Sequence, residues 1–109
     1  MKIFAYFILL VLLTNISYAN EAHDRLVEMT TSERNKTFGK LLRDSGESCN
    51  SVTRSFFQGF DKDNAAYWSV ACSNDRSFSV QFKDDSEGST RIVDCELLKM
   101  LGVNCFEKF

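Results

Sequence analysis

The chain has no proline, one histidine and one tryptophan, and its positive and negative side chains are interspersed rather than gathered by sign. Each absence removes a class of explanation. With no proline, no low-complexity stretch and no linker, nothing divides the chain downstream of its leader, which points to one modest domain. A lone histidine, His23, cannot form a histidine-based metal site, and a catalytic base needs an oriented partner in a shaped pocket. It falls shortly after the expected leader cleavage site and is read as a solvated terminal residue. The absence of a basic stripe argues against nucleic acid and against anionic membrane surfaces as partners. The cysteines lack C-x-x-C spacing, the usual mark of zinc or thioredoxin-like sites.

Residues 1–19 read as a signal peptide. Lys2 is the only charge there, an apolar run extends from Ile3 to Leu13, and Ser17-Tyr18-Ala19 places small residues three before and directly before a cut after Ala19. The run is shorter than the roughly 20 apolar residues of a membrane span, so no stable membrane insertion is expected once the leader is removed. Without Lys2 there remain 12 basic and 15 acidic side chains, a net charge of −3. Eight phenylalanines and Trp68 remain as well, enough large apolar surface for a core.

Four cysteines lie downstream of the leader: Cys49, Cys72, Cys95 and Cys105. An even count in a small exported chain implies a disulfide framework, and a domain this short needs such staples. The equal spacing of the first three hints at a repeat. Superposing the segments that follow Cys49 and Cys72 sets Val52 on Asp75 and Phe56 on Ser79, so the hydrophobic phases clash and the repeat is rejected.

Residues 20–45 read as a helical N-terminal segment. Ala22, Leu26 and Met29 form one stripe; Phe38, Leu41 and Leu42 form another. Thr30 and Glu33 fit a capping box between them, and Gly46 suits the stop. Residues 46–109 read as a disulfide-stabilised sheet with a C-terminal helix, continuous with the helical segment as one domain. Ser51–Phe57, Tyr67–Cys72, Phe78–Phe82 and Thr90–Val93 alternate as strands, separated by polar turn clusters. Asp94 is a good N-cap for a short last helix, and Gly102 its stop. The expected fold is α+β: helices, a four-stranded antiparallel meander, then a short helix, with the helices on the apolar face of the sheet.

Four cysteines allow three connectivities. Pairing Val52 with Val70 puts position 50 opposite Cys72, so Cys49 is one residue from alignment and a bulge would close the gap. Cys95 and Cys105 bracket the last helix, and the residues after it can return the distance that the helix rises. Cys49–Cys72 with Cys95–Cys105 is therefore the favoured set.

Other chemistry is thin. Asp61-Lys62-Asp63-Asn64 resembles the opening of a calcium loop, but Ala66 and Cys72 stand where that loop needs Gly and Glu. Asp84, Asp85 and Glu87 read as a solvated hairpin loop. No acidic pair has a spacing that argues for a glycosidase dyad, and Asn35-Lys36-Thr37 is a glycosylation sequon relevant only in a eukaryotic secretory route. Phe57 and Tyr67 face away from the expected core positions and, with Phe60 in the turn, are a candidate binding patch at one end of the first hairpin; the alternative is that the N-terminal helix covers them.

The segments GESCNSVTRSFFQG (Gly46–Gly59), AYWSVACSNDRSFSV (Ala66–Val80) and STRIVDCELLKMLGVNCFEKF (Ser89–Phe109) together resemble a group of small uncharacterised exported proteins of proteobacteria. The likeness covers about residues 40–109. It implies a periplasmic or secreted location, in agreement with the leader, and brings no activity, cofactor or catalytic residue. The expected function is that of a non-enzymatic exported binding or accessory protein with a protein partner, needing no cofactor or metal. The alternatives are a small carboxylate-dependent hydrolase and a four-thiolate metal-binding domain.

Overall fold

The computed structural model of the chain describes residues 20–109; the signal-peptide reading of residues 1–19 lies outside them. Two helices, α1 (Glu21–Glu28) and α2 (Thr31–Asp44), lead into four strands, β1 (Val52–Phe60), β2 (Ala66–Cys72), β3 (Ser77–Phe82) and β4 (Thr90–Asp94). A short helix, α3 (Cys95–Met100), comes directly after β4. The strands pair antiparallel in chain order, so the fold is the α+β meander expected from the sequence. Among the described residues no helix is long and apolar enough to cross a membrane.

The local signals act where the sequence puts them. Thr30 Oγ1 accepts from the Glu33 amide and the Glu33 carboxylate accepts from the Thr30 amide, a complete capping box that starts α2. At the other end Gly46, at φ +85°, turns the chain out of the helix while its N–H and that of Glu47 donate to the carbonyls of Arg43 and Leu42. Asp94 caps α3 through the amide of Glu96. Arg34 of α2 adds a tie that the sequence does not suggest. Its guanidinium donates to the carbonyls of Leu26, Val27 and Met29, closing the C-terminal end of α1, and lies over the Trp68 ring.

The core lies between the two N-terminal helices and one face of the sheet. Leu26, Phe38 and Leu42 pack on Trp68, Val70, Phe78, Val80 and Phe82, with the Cys49–Cys72 disulfide at one end. Both expected disulfides are present, Cys49–Cys72 and Cys95–Cys105, and among the described residues no cysteine is free. The four-thiolate metal site is therefore excluded, because each sulfur is already bonded to another.

The register of the first hairpin differs from the expected one. Val52 lies opposite Cys72, and Ser55, not Val52, lies opposite Val70. Two irregularities, between Val52 and Arg54 and between Phe57 and Gly59, each insert a residue into β1. An inserted residue reverses which side chains face the core, so Val52 and Phe57 both point to the helix-covered face.

The far face of the sheet is also covered, contrary to the expectation that all helices share the apolar face. The inner face is already filled by α1 and α2, so α3 and the residues after it fold over the opposite side. There Ser69 donates to the carbonyl of Cys105, Gln58 Nε2 donates to the carbonyl of Asn104, and the Phe109 amide donates to the carbonyl of Gln58. Ser69 and Ser79 are buried on this side. Gly59 makes the tail's approach possible: at φ +144°, a Cβ there would lie 2.9 Å from Cδ2 of Phe109. Gly59→Ala is accordingly expected to cost about 1–3 kcal/mol and to lift Phe109 from the sheet. Thermal unfolding together with proteolysis of the C-terminal tail measures both effects.

Candidate recognition surface

The structure separates the three aromatics of the expected patch. Phe57 and Phe60 touch each other edge to face at 5.1 Å between centroids and both contact the His23 ring, at 4.4 and 4.8 Å. Tyr67 lies on the other face, opposite Gly59, with its ring edge-on to Phe109 at 5.1 Å. The extra residue in β1 between Val52 and Arg54 is the cause, since it reverses the facing of the residues after it and turns Phe57 inward. Of the three, only Phe60 is among the exposed large apolar residues.

His23, expected to be solvated, is 6% exposed. It sits on the first turn of α1, whose N-cap Asn20 accepts from the His23 amide and donates to the carbonyls of Phe82 and Asn64. The Trp68 Nε1–H donates to His23 Nδ1 at 3.0 Å. An indole N–H is only a donor, so Nδ1 must be unprotonated. Burial pushes the His23 pKa below its usual value, with the neighbouring Asp24 opposing part of that shift. A side chain so enclosed is a core element rather than a base. Only the alternation of α1 could have revealed it in the sequence: His23 lies three residues before Leu26, on the same face.

The exposed apolar surface is concentrated elsewhere. Of the seven large hydrophobic side chains exposed among the described residues, five are in the last thirteen positions: Leu97, Met100, Leu101, Val103 and Phe109. They rise from a segment held by the Cys95–Cys105 bond and by the hydrogen bonds from Ser69 and Gln58. Arg54, 4.6 Å from the Phe106 ring, and Lys108, 4.7 Å from the Phe57 ring, clamp the tail to β1 from either side.

Between this segment and the far face runs a groove of about 270 Å³. Leu97, Leu98, Leu101, Val103 and Phe109 form its apolar wall, and Val93 and the Tyr67 ring continue it. Its floor is polar. Cross-strand neighbours Tyr67, Gln81 and Arg91 form one row, with Ser79 and Gln58 beside it. The Tyr67 hydroxyl donates to Asp61 at 2.9 Å, and that carboxylate also accepts from the amides of Asp63 and Ala65. These bonds, the Ala65 amide first and the Tyr67 hydroxyl second, hold the Asp61 pKa below the usual range. Burial first, and the bond to Asp61 second, raise that of Tyr67. Tyr67 thus stays a neutral phenol whose orientation is set by the hairpin turn.

A larger cavity of about 460 Å³ lies beside the Cys95–Cys105 loop, with Asp75, Glu96 and Lys99 on its rim. Both carboxylates are exposed. Among the described residues no three His, Cys, Asp or Glu side chains converge as a metal site. No model of a known protein family, no curated protein and no solved structure matches the chain, and no relative lends it an activity.

Proposed function

We propose that the chain is a non-enzymatic exported binding or accessory protein, periplasmic or secreted, that recognises a protein partner through the apolar surface of α3 and the C-terminal tail. One observation carries the reading: the exposed apolar side chains cluster on a segment that a disulfide and buried hydrogen bonds hold in place. Exposed apolar groups that are contiguous and rigidly presented favour association, because burying them releases surface water without first ordering the segment. The leader pattern and the two disulfides support an oxidising destination outside the cytosol.

The reading is tested by affinity capture with the processed protein and three variants, Leu101→Asp, Phe109→Ser and Phe60→Ser, each checked for an intact near-ultraviolet spectrum. Leu101→Asp and Phe109→Ser are expected to abolish recovery of a partner that the wild type and Phe60→Ser both retain. Unchanged recovery with Leu101→Asp would remove the proposal. Loss with Phe60→Ser alone would transfer recognition to the opposite face.

A second class of function rests on Asp75 and Glu96 at the rim of the larger cavity, as the carboxylates of a hydrolase. A general acid needs a desolvated carboxyl, and both of these are exposed, which weighs against it.

A further inference from the structure

Resting on the recognition surface just proposed, the groove's chemistry identifies what it takes. We infer that it binds an extended peptide segment bearing a free carboxylate beside a large apolar side chain, as at a peptide C-terminus. Three features carry this. The wall of Leu97, Leu101, Val103 and Phe109 is apolar and largely exposed, so it accepts an aliphatic or aromatic side chain. At the opposite lip stands Arg91, exposed on the edge strand β4 and in no ion pair with any described residue. A guanidinium offers paired donors that match a carboxylate.

The third feature separates a peptide from a fatty acid. The floor between wall and lip carries Gln81 and Ser79, whose side chains make no hydrogen bond with the described residues, and Gln58, whose amide oxygen is likewise unused. An alkyl chain laid across this floor would strip water from those groups and return nothing to them. A peptide backbone presents N–H and C=O groups at the matching level. The volume, just below the roughly 300–1,000 Å³ of sites for drug-sized ligands, suits one anchored side chain and its flanking backbone rather than a cofactor.

The probe is a fluorescein-labelled Gly-Gly-Ala-Leu-Leu peptide, prepared as the free acid and as the C-terminal amide, with binding read by anisotropy at low salt. The free acid should bind about tenfold more tightly than the amide, the worth of one charge-assisted contact. That difference should vanish in Arg91→Gln, while Leu101→Asp should lose both peptides. Equal affinity for acid and amide in the wild type overturns the carboxylate assignment and leaves the recognition surface standing. Displacement of the peptide by dodecanoate at lower concentration overturns the peptide in favour of a lipid acid. Binding of neither peptide up to roughly 1 mM overturns the inference outright. The recognition surface itself is judged separately, by whether partner capture depends on Leu101.

Discussion

Replacing Cys49 and Cys72 together with serine is expected to destabilise the protein by about 3 kcal/mol, the loop-entropy value for a bridge of this span. The bond joins residues 23 apart, from the connection after α2 to the end of β2. Both sulfurs are in the core, with Cys49 2% and Cys72 5% exposed. The loss therefore has two parts. The unfolded chain regains the freedom that the crosslink removes, and two hydroxyls enter a space built for sulfur. For a domain of this size the unfolding midpoint should fall by roughly 12–24 °C. The Cys95–Cys105 bond spans 10 residues and ends on one core sulfur, Cys105, and one half-buried one, Cys95. Its removal should cost less stability but release the tail, and with it the groove. Calorimetry of the two double variants, with tail proteolysis as the second readout, measures the difference. A larger loss from the Cys95 and Cys105 pair would contradict this ordering.

The second large effect belongs to His23. Removing its side chain as His23→Leu leaves the Trp68 indole N–H buried without an acceptor, a cost of about 1–3 kcal/mol, on top of lost packing against Phe57 and Phe60. The wild-type interaction should also depend on pH. The folded pKa lies below the unfolded value of 6.5, so the unfolded state binds the proton first. His23's contribution is then complete above pH 6.5 and is lost as pH falls below it, until the lower folded pKa is reached. The slope cannot exceed about 1.36 kcal/mol per pH unit, the limit for the one proton concerned.

Asp24 is the charged neighbour on the same helix, and Arg34 approaches from α2 over the Trp68 ring. Other groups titrate elsewhere on the scale. Hydrogen bonds hold Asp61, Asp85 and Asp94 below the ordinary aspartate value of 3.8, so their contributions persist above it and disappear only in stronger acid. Denaturant unfolding between about pH 7 and 5, followed by the fluorescence of the single tryptophan, isolates His23. His23→Gln keeps an acceptor for Trp68 but does not titrate, and should flatten the profile at a smaller loss of stability. A wild-type profile flat across that range would show that His23 is not the neutral acceptor the geometry requires.

Local features are legible in the sequence because their physics is local. Thr30 with Glu33, Asp94, Gly46 and the alternation through β2 and β3 each act within a few residues, and each is found where the pattern puts it. The cysteine pairs are legible too, since few partners lie within reach along a meander. Cys49 meets Cys72 even though the first hairpin's register departs from simple alternation, because the bridge needs proximity and not strict alignment.

The recognition surface is not legible, for three physical reasons. The two extra residues in β1 carry no sequence mark, yet each inverts the facing of the residues after it, and so Phe57 joins the core, away from Tyr67, which alternation along β2 leaves on the groove side. His23 is buried where Asn20 docks α1 against Asn64 and Phe82 and Trp68 bonds its ring, all far along the chain. The apolar residues of α3 read as core in the sequence, but the inner face is already filled by Phe38 and Leu42. The last helix is left to the far side of the sheet, where its leucines become surface. Which residues are apolar, and which helix ends and disulfides they adjoin, is written in the chain. Which of those apolar residues remain exposed is decided only when two layers compete for the same face of one sheet, and that competition is a property of packing across long separations.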